Sequence, residues 1–281
     1  MERKSKNQPW TISVASGKGG VGKTLTTVNM ATAAQKSGIR TLVLDGDLGL
    51  ANVDIVLGLR ARYNINDVLE SRMELEDILL EGPLGVRIIP SGSGLAQLAE
   101  LKLSQRVQLL DKIEALASGY QLLMIDTGAG ISSNVTHLNS VADAIMVVTT
   151  PEPHAMTDAY AFLKVMHEQY GKKNFNIIVN QAISEAQGLK IFQSLADVSK
   201  RFLNLDLRFG GTVPKDAMVE RSVMLQRAAD DRIAHTRSGQ AWSEITRRIL
   251  DMLFQAPPSD GRMGFQDLLF PQPVLRSVST L

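Results

Sequence analysis

Residues 16–24 read Ser-Gly-Lys-Gly-Gly-Val-Gly-Lys-Thr and fit the phosphate-loop pattern G-x-x-x-x-G-K-[ST] from Gly17 to Thr24. A glycine-rich loop between a strand and a helix aims several backbone N–H groups at one point. The helix dipole adds positive potential there, so phosphate is favoured. Gly19, Gly20 and Gly22 permit the tight backbone path. Lys23 is expected to bind the β- and γ-phosphates of a nucleotide and the Thr24 hydroxyl to bind Mg2+. The full expected binding stretch is Gly17, Gly19, Gly20, Val21, Gly22, Lys23, Thr24 and Leu25. Lys18, a second lysine just after the first glycine, suggests a site that two copies of the chain share.

Three carboxylates carry further chemistry. Asp126 ends the apolar run Tyr-Gln-Leu-Leu-Met-Ile-Asp. An acidic residue there is the expected second Mg2+ ligand or the holder of its water; the alternative is a strand-end carboxylate that caps residues 127–132. Asp45 and Asp47 close another strand as Asp-Gly-Asp. A carboxylate at that place can orient the attacking water in phosphoryl transfer. A turn with a helix N-cap is an equally ordinary use of Asp-Gly-Asp.

These residues need elements to position them. Apolar, β-branched runs at 11–16, 39–45, 86–90, 120–126, 144–150, 174–181 and 207–213 predict strands. Helical patterns occupy 21–37, 104–117, 157–169, 187–203, 217–227 and 238–255. Alternation of apolar strands with helices predicts an α/β fold, a mostly parallel doubly wound sheet with helices on both faces. Ligands in such sheets bind at the carboxyl ends of the strands, where the phosphate loop, Asp45, Asp47 and Asp126 all fall. Residues 1–256 read as one phosphate-loop domain, and 257–281 as a linker and tail.

Composition narrows the chemistry. Among 281 residues there are 30 basic and 29 acidic side chains, so total charge does not ask for nucleic acid, and no direct nucleic-acid partner is expected. The chain has no cysteine. That excludes disulfides, thiolate zinc sites, cysteine-held iron–sulfur clusters and cysteine nucleophiles. Four scattered histidines show no metal-ligand spacing and read as structural or surface residues. The basic N-terminus runs into a short apolar stretch broken at Gly17, which reads as the first strand and not a signal peptide, and a cytoplasmic setting is expected.

The run from Lys18 to Thr24 resembles the deviant phosphate loop of the MinD/ParA ATPases, and the likeness covers roughly residues 10–255. It implies a P-loop NTPase that binds ATP or ADP with Mg2+ and forms a homodimer with ATP. Lys18 would then be the signature lysine that reaches the partner's nucleotide. Asp47 would orient water in switch I and join Thr24 and Asp126 as the residues at the Mg2+, with residues 126–130 as switch II. Lys18, Lys23 and Asp47 would be the catalytic set. Asn180 matches the adenine-contacting asparagine, and Pro214 and Asp216 match the other side of the base pocket. Asp158 is expected at a dimer or partner face.

Residues 44–54, 126–132, 151–153, 157–160 and 201–203 are similar to the flagellar-number regulators of the FleN/FlhG type. That likeness implies a slow ATPase switch acting on flagellar number, placement or gene expression. The implied partners are a flagellar GTPase (FlhF type), a σ54-type transcription activator (FleQ type) or flagellar switch proteins. It also implies reversible association with the inner face of the cell membrane, at a pole in some relatives. Three departures stand out. Gly46 replaces the usual alanine, residues 1–10 lack the segment by which some relatives stimulate the flagellar GTPase, and the tail is unlike the usual basic membrane helix. Phe265, Leu268, Leu269 and Phe270 could contact membrane or a partner, or fold back on the domain. Helix 238–255 carries an apolar stripe that fits core packing or a membrane surface. A ParA-like DNA-partitioning ATPase and a non-hydrolysing adaptor are the other readings.

Overall fold

A computed structural model describes residues 8–47, 52–90 and 103–255. The expected helix–strand alternation is present. The strands are β1 (Trp10–Ser16), β2 (Thr41–Gly46), β3 (Leu80–Glu81), β4 (Arg87–Ile89), β5 (Leu122–Ala129), β6 (Ala144–Thr149), β7 (Phe175–Ala182) and β8 (Arg208–Pro214). They form one sheet in the order β3-β4-β2-β5-β1-β6-β7-β8. Every described pairing is parallel except β3 with β4. The first strand therefore lies inside the sheet, between β5 and β6, and its carboxyl end delivers the phosphate loop to the middle of the sheet's edge.

Residues alternate between two covered faces, which is why the strands read as continuous apolar runs. On one face, α1 (Lys23–Lys36) and α10 (Arg237–Gln255) pack Met30, Ala34, Trp242, Ile245 and Ile249 against Ile12, Val14, Met124 and Met146. The opposite face has two clusters. There α4 (Leu103–Ala117) sets Leu110 and Ile113 against Leu44, Leu123 and Ile125. Beside it α6 (Pro153–Tyr170) sets Phe162, Leu163 and Met166 against Ala15, Val147 and Ile177. The apolar stripe of α10 is thus core: Trp242 is buried, and its indole N–H reaches the Thr26 hydroxyl at 3.3 Å.

The structure also contains elements that periodicity does not reveal. Helices α2 (Val53–Leu57), α3 (Ile65–Leu69) and α9 (Asp231–Ala234) and strand β3 are too short to show a period. Helix α5 (Ser133–Ser140) is built from weak helix formers. A tertiary contact ties it to β5 instead: buried Asn139 donates to Thr127 Oγ1 at 3.3 Å. Helix α6 begins at Pro153, earlier than residue 157, because proline is well suited to the first helical turn. Helix α7 (Glu185–Leu203) covers β7 and β8, and α8 (Ala217–Met224) follows β8.

One glycine ties the phosphate loop to this frame. A Cβ on Gly17 would lie 2.0 Å from Asp158 O and 2.7 Å from Ala159 N, both backbone atoms of α6. Gly17→Ala must therefore push α6 off the loop, and overpacking of this kind costs about 1–3 kcal/mol. Urea unfolding of the nucleotide-free protein should show that loss; an unchanged midpoint would mean that α6 yields without cost. Asp158 itself is half-buried on this contact.

Candidate nucleotide site

The loop leaves β1 at Ser16 and enters α1 at Lys23, with Gly22 as N-cap at φ 90°. That left-handed conformation favours glycine, and a Cβ there would also sit 2.3 Å from Asn180 Nδ2. Asn180 is buried at the end of β7, donates its amide to Val21 O at 2.8 Å, and accepts from Gln181 N–H at 2.9 Å. It is therefore a strut for the phosphate loop as well as a residue beside it. Ser16 Oγ donates to Lys18 O at 2.6 Å, and Gly130 N–H donates to Ser16 O at 2.9 Å, so the segment after Asp126 is tied to the start of the loop.

Lys23 is buried, 7% exposed. Burial pulls its pKa down, while the charges of Asp126 and then Asp47 oppose that shift. Asp126 is fully buried on β5, in register with Val14 of β1 and Asp45 of β2. Its Oδ1 accepts from Thr27 Oγ1 at 2.9 Å, but its Oδ2 is buried without a hydrogen-bond partner. Burial raises its pKa to about 6 against the pull of the Thr24 and Thr27 hydroxyls and Lys23. Asp45 is buried as well. Desolvation, then the neighbouring Asp126 charge, raise it to about 7 against three backbone N–H donors. Asp47 differs from both: it is half-buried, and its Oδ2 accepts from Asn52 Nδ2 at 3.3 Å.

A family description, AAA domain, matches residues 10–179. The chain is 36% identical over 266 residues to the antiactivator FleN of Pseudomonas aeruginosa, covering 95% of each chain. It is 32% identical over 213 residues to the flagellum site-determining protein YlxH of Helicobacter pylori, covering 75% of this chain and 72% of that one. The chain belongs to the MinD/ParA ATPase family, in its FleN/FlhG branch. Among solved structures it is similar to a chain of the MinC:MinD cell division complex of Aquifex aeolicus, with TM-score 0.68, 25% identity, and 90% and 100% of the two chains covered. MinD of Pyrococcus horikoshii with Mg-ADP shares the fold at TM-score 0.70 and 23% identity, over 87% and 97% of the chains.

The residues of this MinD/ParA chain fit Mg2+ and a nucleotide. An orphaned buried carboxylate oxygen on Asp126, one strand from a buried lysine where the glycine loop enters α1, is an arrangement that a cation would complete. Among the described residues no three carboxylates or imidazoles form a metal cage by themselves. Thr24 and Asp126 would therefore hold Mg2+ together with phosphate oxygens.

The other site residues of this family member fall into place unevenly. Pro214 ends β8 opposite Ala182, so Asn180 and Pro214 stand at adjacent strand ends. Asp216 caps α8, accepting from Met218 N–H at 2.9 Å, and Leu25 is partly buried against the core. Lys18 pairs with Glu152 of its own protomer at 3.0 Å, on the exposed rim. Sequence reading missed Thr27 and Glu152. Thr27 lies one helical turn after Lys23, a spacing that could have revealed it. Glu152 lies 134 residues from Lys18, and no local signal links them.

The raised carboxylates set a pH dependence for the nucleotide-free protein. Folding lifts both pKa values above the unfolded value, so the folded state holds protons more tightly. Their contribution to stability is present below about pH 4 and is lost as pH rises through about 6 and about 7. The melting temperature of wild type should fall between pH 4.5 and 7.5 by more than that of Asp45→Asn, whatever constant offset the lost acceptor imposes on the variant. Parallel curves would contradict the assignment.

Proposed function

We propose that this chain is an ATP-driven molecular switch of the FleN/FlhG type. It hydrolyses ATP slowly and, as an ATP-held homodimer, regulates flagellar number, placement or flagellar gene expression. The observation that carries this reading is a complete phosphate-binding loop with its second lysine, Lys18, in a chain that aligns with FleN over 95% of both.

The loop N–H groups and Lys23 bind the nucleotide's phosphates, and Asn180 keeps the loop in that shape while standing beside the base. Pro214 and Asp216 border the base from the next strand. Thr24 and Asp126, with Asp47 beside them, would hold Mg2+, which would supply neutralisation of phosphate charge when bound. Asp47 orients the attacking water. Lys18 exchanges Glu152 for the phosphates bound by the partner protomer, which makes ATP a dimerisation signal. Loss of the γ-phosphate contacts releases the segments around Asp47 and residues 126–130. The output is altered binding to a flagellar GTPase, a σ54-type activator or flagellar switch proteins.

No helix among the described residues is long and apolar enough to cross a membrane. Reversible attachment to the inner membrane face would fall to residues 257–281. These, like residues 1–7, lie outside the described residues. Size in solution tests the switch directly. Chromatography with light scattering should give monomer with ADP and dimer with a non-hydrolysable ATP analogue and Mg2+. Removing Mg2+ with chelator should return the monomer, and equal masses under all conditions would refute ATP-held dimerisation. Pull-downs with the two nucleotide states then identify the flagellar partner.

A further inference from the structure

We infer that Asp45 and Asn52 are positioning residues that hold Asp47 in place for hydrolysis, an inference that rests on the role proposed for Asp47 above.

Asp45 is 1% exposed and lies in register with Asp126, which is 0% exposed. Two buried carboxylates on neighbouring strands repel, and such an arrangement persists only where other groups compensate it. Three backbone N–H groups provide that compensation. Asp45 Oδ1 accepts from Asp47 N–H at 3.2 Å, while Oδ2 accepts from Asn52 N–H at 3.1 Å and Val53 N–H at 3.2 Å. Both oxygens are engaged with the backbone, so this carboxylate serves the chain around it and does not face a ligand.

Its geometric effect falls on Asp47. One carboxylate fixes the backbone of Asp47 and the entry of α2 to the same point. Asn52 then reaches back through Nδ2 to Asp47 Oδ2 at 3.3 Å. The path between Asp45 and Asp47 is also constrained, because a Cβ on Gly46 would meet Leu138 Cδ1 at 2.9 Å and Asp126 O at 3.0 Å. Asp47 is thereby held at its N–H and at one carboxylate oxygen. Its other oxygen, Oδ1, faces Gly128, where an added Cβ would be 3.5 Å away. Holding a group that orients water within a narrow range of positions is worth a large part of its effect on rate.

The test is a set of mutant cycles on the full chain, with Mg-ATP turnover, fluorescent-ADP affinity and melting temperature as readouts. Asp45→Asn removes acceptor capacity from one oxygen and should lower kcat about tenfold, and Asn52→Ala about threefold, with ADP affinity held within about twofold. In an Asp47→Ala background neither change should lower the residual rate further, because each acts through Asp47. Rate losses that persist in that background, or that track a fall in ADP affinity, would overturn the inference. Should Asp45→Asn fail to fold, Asn52→Ala decides alone, and its normal kcat would overturn the proposal. A normal rate for Asp47→Ala would instead sink the proposed role of Asp47, a separate and recognisable result.

Discussion

Lys23→Ala abolishes nucleotide binding, and with it every nucleotide-dependent change of size. Lys23 is a buried ammonium that faces the charges of Asp126 and Asp47. Its removal leaves two carboxylates without their nearby cation, in the place where the nucleotide's phosphates must also sit. Truncating one partner of a buried, hydrogen-bonded charge contact between protein and ligand costs about 2–5 kcal/mol of binding, roughly one and a half to three and a half orders of magnitude in Kd. The loop backbone stays, since Val21 O is held by Asn180 and not by Lys23. Folding should therefore survive while Mg-ADP affinity is lost. Calorimetric titration with Mg-ADP, beside circular dichroism of the same sample, measures both. Near-normal affinity would mean that the phosphates do not meet this lysine.

Asp47→Ala has the opposite profile: ATP binding and the ATP dimer remain, and turnover nearly stops. Asp47 is half-buried and lies outside the phosphate loop, so its truncation disturbs neither the glycine N–H groups nor Lys23. A positioned carboxylate acting on the attacking water contributes about 10²–10⁴ in rate. The variant should elute as a dimer with ATP itself, a state that wild type leaves as it hydrolyses. Phosphate release under single-turnover conditions, with light scattering on the same mixture, separates the two effects. Normal hydrolysis would assign the water to another group, and a monomer in ATP would make Asp47 part of the dimer contact.

The two predictions draw on different layers of information. The phosphate loop, its flanking strand and helix, and the acid that ends the apolar run at Asp126 were legible in contiguous residues, although β5 itself continues past Asp126 to Ala129. Each depends on local rules: glycines where the backbone needs freedom, apolar runs where a strand is covered on both faces, an acid where such a run stops. Seven of the eight strands among the described residues were recognisable for the same reason, and β3 was not, because two residues carry no period. Residues 16–24 thus set the ligand class, and the order of strands and helices set the sheet.

Roles that depend on distant chain segments were open until the tertiary structure brought those segments together. By spacing alone Asp45 and Asp47 are alike, both acids around one glycine, and only the family likeness singled out Asp47. Two residues apart, they would share one face of a continuing strand; only the end of β2 at Gly46 and the return of the chain at Asn52 and Val53 separate a buried clasp from a half-buried acid. Asn180 meets Val21 across 159 residues, Thr27 meets Asp126 across 99, and Lys18 meets Glu152 across 134. Side-chain hydrogen bonds are short-ranged in space but indifferent to separation along the chain. The parallel sheet, by gathering the carboxyl ends of its strands at one edge, decides which of these residues act together.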